Sequence, residues 1–370
     1  MSLEFIGYIG TQLSSEIIDA PRSGLDLAHV EETARVHEQG GFDRALVAFH
    51  STSPESILVA AHAASVTRRL GFMVAHRPGF TQPTLAARQL ATLDVITGGR
   101  TAVHIITGGN EVEMRQDGSF IDKEERYARS DEYLEVVRKV WTSTVPFDHH
   151  GRFYRYEQAQ SHVRSPQAPH IPVYFGGSSD AAIEVAGKHA DVYARWGETH
   201  DQVRETVARV RAAAARHGRS VRFSLSLRPI LADTEAAAWT RAETILEQAR
   251  ELAERKGKLR KGPPPNVGSQ RLLDAAAQGL RLDKRLWTGI AGLLGAQGNS
   301  TALVGTPEQV ADALLDYRDL GIGTFLIRGF DPLADALAYG RDLLPLTRAL
   351  AEKRPDLSAR GQVRTEAVAA

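Results

Sequence analysis

The chain has 370 residues, 42% hydrophobic and 24% charged, with a formal net charge of zero and no cysteine. The charge balance removes the usual reason to expect nucleic acid or an anionic membrane as partner, and the missing cysteine excludes disulfides, thiolate metal sites and cysteine nucleophiles. No apolar run reaches membrane-spanning length, and MSLEFIGYIG lacks the basic and apolar regions of a secretory signal, so a cytoplasmic protein of enzyme size is expected.

Strand-like and helix-like patterns alternate along almost the whole chain. The first four pairs are Glu4–Ile9 with helical Leu27–Gln39, Arg44–Ala48 with Pro54–Thr67, Gly71–Ala75 with Pro83–Ile96, and Thr101–Ile106 with Glu124–Thr142. VPFDHHGRFYRY, residues 145–156, then reads as a hairpin turning around His150-Gly151. Three more pairs follow: Pro172–Phe175 with Asp180–His189, Asp191–Tyr193 with Gln202–His217, and Arg222–Leu231 with Ala236–Glu254. Helical Pro307–Asp319 leads to a last strand, Thr324–Ile327, and a closing helix, Leu333–Leu350. Eight strands and at least as many helices predict an α/β fold, a (β/α)8 TIM barrel, and no GxGxxG follows the first strand to suggest a dinucleotide-binding sheet. One domain is expected over residues 1–355, with a polar tail at 356–370. Besides the hairpin, a long insertion at about 255–300 precedes strand eight, and Lys256, Lys258, Arg260 and Lys261 come before three prolines in it. This basic run reads either as solvated surface or as a lid over an anionic ligand.

In such a barrel the site lies at the C-terminal ends of the strands. Those positions hold Gln12, then His50 and Ser53, His76, Thr107, the turn Gly176-Gly177-Ser178-Ser179, Trp196, Ser226 and Arg228, and finally Arg328 and Phe330. Basic, hydroxyl and aromatic groups dominate, which suits an anionic, planar ligand. The Gly-Gly-Ser-Ser turn opens a helix and reads either as a phosphate site or as a tight turn with an N-cap. Among 13 histidines there is no HExxH spacing, so no metal is expected, and no GxSxG elbow marks a nucleophile.

Four segments together, RPGFTQPTLAARQLATLDVITGGR (77–100), ITGGN (106–110), ERYARSDEYLEVVRKVW (125–141) and VYFGGSSD (173–180), resemble the bacterial-luciferase-like flavin monooxygenases. Within these the chain is most similar to the alkanesulfonate monooxygenases, over roughly residues 3–350; ARWGE, Leu286–Gly289 and TALVG (301–305) add to the likeness. The resemblance implies FMN, used reduced and delivered by a separate NAD(P)H:FMN reductase, O2 as co-substrate, and a homodimer or homotetramer. In matching positions Gly177, Ser178 and Ser179 would take the FMN phosphate, with Tyr127 reaching it or serving only as a buried helix tyrosine. His104 and Thr107 would face the flavin ring, and Ala75-His76 would contact it through the backbone or, alternatively, through the His76 side chain. Trp196 would wall the pocket.

The substrate pocket departs from the alkanesulfonate pattern: Gln12 replaces a histidine, Ser53 a cysteine, Ser226 and Arg228 an arginine and a histidine, and Phe330 and Pro332 a tyrosine and a histidine. Arg228 and Arg328 remain candidate anchors for an anionic group, Arg228 alternatively pairing with Asp331 or Glu198. His50 is the candidate acid–base group. The expected reaction is therefore oxygenation of a small organosulfur compound, as in desulfonation to aldehyde and sulfite. Oxygenation of a sulfone, amide, heterocycle or chelating amine is the alternative, followed by a deazaflavin-dependent dehydrogenase or a flavin binder without turnover.

Overall fold

A computed structural model describes residues 3–21, 24–259, 262–264, 266–296 and 298–355. The expected tail 356–370, and Arg260 and Lys261 of the basic run, lie outside the described residues.

Eight parallel strands close into a barrel: β1 (Glu4–Ile9), β2 (Arg44–Val47), β3 (Gly71–His76), β4 (Thr101–Ile105), β5 (Val173–Gly176), β6 (Val192–Trp196), β7 (Arg222–Leu231) and β8 (Ile322–Ile327). Each pairs with its sequence neighbour, and β8 pairs with both β7 and β1 to complete the ring. Helices cover the outside, so the strands are buried on both faces, and every residue of β3 is buried.

The helix ends follow from local chemistry. Thr199 with Gln202, and Thr306 with Gln309, form reciprocal capping boxes, while Pro83 and Pro307 occupy first-turn positions where no N–H is needed. The expected helix Leu333–Leu350 is instead Pro332–Ala338, a π-turn at Tyr339–Leu343, and Leu344–Lys353. Pro345 has no N–H to offer residue 341, which accounts for the widened turn just ahead of it.

Inside the barrel, alternation along the strands stacks Ile6, Met73, Ala102, Tyr174, Val192 and Leu326 into one apolar layer. Below it Glu4 accepts hydrogen bonds from Arg44 (2.8 Å), Tyr174 (3.0 Å) and Thr324 (3.0 Å), which seals the floor with a paired carboxylate. The opposite end is left to the polar residues of the mouth.

The hairpin after the fourth unit is present as Phe147–His150 paired antiparallel with Arg155–Ala159. The second insertion is folded where it is described. A helix at Val267–Gln278 is followed by short strands Arg281–Leu282 and Leu286–Trp287 and a helix at Gly289–Leu294. Leu286–Trp287 pairs with Ala302–Gly305, which pairs in turn with the overhanging half of β7, Arg228–Leu231. The ten-residue β7 thus serves the barrel with one half and the insertion with the other.

Candidate active site

At the end of β5 the chain turns sharply into the helix Asp180–His189. Gly177 has φ +137°, and a Cβ there would lie 2.7 Å from Ala182 Cβ and 2.9 Å from the Tyr127 hydroxyl oxygen. Only glycine leaves this concavity open, and backbone N–H groups of the helix start face it. Ser179 caps the helix, accepting from the Ala182 N–H at 3.3 Å. Burial raises the Tyr127 pKa, an effect partly offset by the Ser179 hydroxyl, so the phenol stays protonated as a donor. The Tyr193 hydroxyl donates to the Gly177 carbonyl and holds the turn from below. Asp180, the one acid in the first turn, is paired with Arg209. Glycine cradle, helix N-terminus, serine hydroxyls and tyrosine donor together fit a phosphate monoester.

Next to this end lie the residues expected around a flavin ring. His104 follows Ala102 on the inward face of β4, and burial lowers its pKa to about 4, so it is neutral at pH 7. The Thr107 hydroxyl is 3.2 Å from that of Ser130, which fixes its orientation. His76 points the other way: its ring nitrogen Nε2 pairs with the Tyr133 hydroxyl at 2.7 Å in the helix layer, and burial lowers it too to about 4. Strand alternation accounts for this, since Ala75 faces inward and His76 outward. Only the backbone of His76 is presented to the barrel side.

Arg228, a candidate anion anchor, is fully buried. Its guanidinium lies over the Phe330 ring at 3.5 Å, donates to the Gly329 carbonyl at 2.8 Å, and stands 2.7 Å from Glu16 Oε2. Neither expected partner is available. Glu198 is clamped by Arg195 and Arg271, and Asp331 caps the helix Pro332–Ala338. Glu16 also accepts from Arg328 at 2.9 Å. Burial alone would raise the Glu16 pKa, but Arg228 and Arg328 outweigh it and hold the carboxyl at about 2. Phe330, expected to touch substrate, is buried beneath Arg228.

After β2 His50 is exposed, with Nδ1 3.5 Å from Glu113 Oε1. Glu113 is itself held by the buried Arg77 at 2.9 Å and by the Ser51 N–H at 3.0 Å. The hydrogen bond to His50, aided by Arg77 and Ser51 against partial burial, lowers Glu113 to about 2. The Ser53 hydroxyl exchanges hydrogen bonds of 2.9 Å with the backbone N–H and C=O of His50, so it shapes the turn that presents the imidazole. Gln12 holds its own loop, accepting from the Gly24 N–H at 3.1 Å. Ser226 is buried on β7, and Trp196 packs against Gly268 and the Leu272, Leu273, Ala291 and Ala296 cluster, joining the insertion to the barrel mouth.

Sequence reading missed Glu16 and Glu113. Glu16 sits in a loop without motif or periodicity, and only the fold brings it to arginines more than 200 positions away. Asp131, Glu135 and His189 also converge, on outer helices, but the Lys188 ammonium already lies 2.8 Å from Asp131 and 2.5 Å from Glu135, making this an ion-pair cluster. Among the described residues no helix is long and apolar enough to cross a membrane.

The barrel fold recurs in solved structures. The EDTA monooxygenase EmoA from Chelativorans sp. BNC1 superposes with a TM-score of 0.76 at 20% identity, covering 95% of each chain. The riboflavin lyase RcaE, solved with modified FMN and riboflavin, gives 0.75 at 19% identity, covering 95% of this chain and 92% of that one. An F420-dependent secondary alcohol dehydrogenase with an F420-acetone adduct gives 0.68 at 15%, over 94% and 99%. These likenesses establish the fold, and the sequence itself goes further: residues 5–324 match the luciferase-like monooxygenase family, to which this chain belongs.

Proposed function

We propose that the protein is the oxygenase component of a two-component system, taking reduced FMN from a separate NAD(P)H:FMN reductase in the cytoplasm and working as a homodimer or homotetramer. The observation that carries the reading is the Gly177 concavity, closed to any side chain and ringed by Tyr127, Ser178, Ser179 and helix N–H groups. When bound there, reduced FMN supplies two electrons for O2, one oxygen atom going to substrate and the other to water. The chain's own share is to hold the phosphate, to set neutral His104 and Thr107 toward the ring, and to exclude water behind Trp196 and the helix Val267–Gln278. His50, fixed by Glu113, moves the proton at the rim.

For the substrate we favour a small anionic organosulfur compound, a sulfonate yielding sulfite and aldehyde, because Arg228 and Arg328 converge on a single carboxylate, Glu16, at the strand ends. The changed residues Gln12, Ser53, Ser226 and Phe330 favour a second reading in which another small molecule, such as a chelating amine, is oxygenated. Anaerobic titration with reduced FMN, oxidised FMN and a deazaflavin tests the cofactor. Tight, preferential binding of reduced FMN is expected, and preference for the deazaflavin overturns the proposal in favour of a hydride-transferring dehydrogenase. Sulfite release across a panel of sulfonates then separates the two substrate readings.

A further inference from the structure

The β1 end of the barrel mouth holds a charge arrangement that the cofactor does not use. Glu16 reaches from the loop after β1 to Arg228 on β7 and Arg328 just past β8, at 2.7 and 2.9 Å. Among the described residues these are the only carboxylate contacts of either arginine, so two cations share one anion and a positive charge is left over. The pairing is also incomplete in geometry. Arg228 Nη1 and Glu16 Oε2 meet at 2.7 Å, but Arg228 Nε and Arg328 Nε are buried without a hydrogen bond, and Arg228 is fully buried. Each unsatisfied buried donor is costly, so a ligand that reaches Arg228 Nε or Arg328 Nε gains what Glu16 leaves unmade.

Space adjoins the arginines on one side and the Glu16 loop on the other. Tyr8, Ser14, Ser15, Arg228, Arg328 and Gly329 line a hole of about 20 Å³, room for one water. Behind the loop, Ile17 and Ile18 border a groove of about 310 Å³ against Gln248, Leu252 and Arg255. The Glu16 segment therefore has somewhere to go.

We propose that Arg228 and Arg328 form an anion site in which Glu16 is a resident stand-in, and that a carboxylate or sulfonate head of the substrate replaces it. Exchange of one oxyanion for another keeps the charge of the site constant, so the buried arginines are never left bare, and a ligand able to satisfy the idle donors gains hydrogen bonds that Glu16 does not make. A neutral isostere gains neither. Of the proposed function, this inference borrows only the identification of the anion as part of the substrate.

The test is calorimetric titration of the flavin-free protein with methanesulfonate and acetate, and with dimethyl sulfone as the neutral control, for the wild type, Glu16→Gln, Glu16→Asp and Arg328→Gln. Wild type should bind methanesulfonate or acetate saturably, Glu16→Gln at least about tenfold tighter, and Arg328→Gln at least about tenfold weaker. Glu16→Asp keeps the charge but shortens its reach, so it should fall between wild type and Glu16→Gln; it carries the test if Glu16→Gln fails to fold. No saturable anion binding by wild type, or equal affinity in wild type and both Glu16 variants, overturns the inference. So does equal tightening of dimethyl sulfone. Because no flavin is present, failure of reduced-FMN binding in the separate titration sinks the monooxygenase reading without touching this result.

Discussion

Replacing Gly177 by alanine tests the phosphate cradle directly. At φ +137° an L-residue is strained by about 1–3 kcal/mol. The new Cβ would also press to 2.7 Å from Ala182 Cβ and 2.9 Å from the Tyr127 hydroxyl, within the volume the phosphate needs. Hydrogen bonds to a charged group contribute about 1.5–3 kcal/mol, which corresponds to roughly 10- to 150-fold in affinity. Wild type should therefore prefer reduced FMN over reduced riboflavin, the same flavin without its phosphate, by that factor. In Gly177→Ala the preference should shrink to within about threefold, while riboflavin affinity stays within a few-fold of wild type. Anaerobic fluorescence titration with both flavins measures this, with a thermal melt to check folding. Equal affinity of wild type for the two flavins would refute the cradle, as would a variant that loses both alike.

Four further outcomes follow from the titratable groups. His37 and His76 are each held neutral by burial down to about pH 4, whereas the unfolded chain protonates them below their ordinary 6.5. The unfolded state thus binds more protons between those values, and stability should fall as pH drops through that window, by up to about 3 kcal/mol per histidine. Urea unfolding at pH 7.5 and 5 reads the slope, and a flat profile contradicts it. Arg228→Ala leaves Glu16 paired with Arg328 but opens a cavity over Phe330 and frees the Gly329 carbonyl, and should cost about 2–4 kcal/mol of stability; a loss under about 1 kcal/mol in denaturant titration would mean the site relaxes freely. His50→Ala should lower turnover about 10²- to 10⁴-fold while leaving flavin affinity within a few-fold, and Glu113→Gln should shift the pH–rate profile more than the flavin affinity. Unchanged kcat in His50→Ala removes it from the chemistry.

Elements with strong local signals were legible in the sequence, and those made by tertiary contact were not. Leu27–Gln39, Asp180–His189, Pro307–Asp319 and β7 have the expected bounds, because apolar period, cap and breaker agree at each end. The helices Glu111–Gln116 and Gly289–Leu294 span under two turns, too few for periodicity to register. Val267–Gln278 was hidden behind the prolines that start the insertion. The turn from Gly176 into the Ser179-capped helix was readable because glycines, N-cap and helix start are contiguous. The charge partners were not: Arg228 with Glu16, or His50 with Glu113, are joined only by barrel closure, which no spacing rule anticipates.

The placement of titratable groups also separates two duties within one mouth. His104 is desolvated and neutral, and His76 is turned into the helix layer, so neither offers a proton to the barrel interior at pH 7. Glu16 and Glu113 are both held at about 2 by cations or an imidazole, so neither carboxyl carries a proton there. That leaves the inner pocket electrostatically constant across the working pH range. On the proposed reading, proton exchange falls to His50 at the exposed rim and oxyanion exchange to the arginine side. A flavin enzyme gains from this division: a dry interior of fixed charge keeps water from the oxygen chemistry, and the groups that must change partners stand at the edge, where they can do so without opening the core.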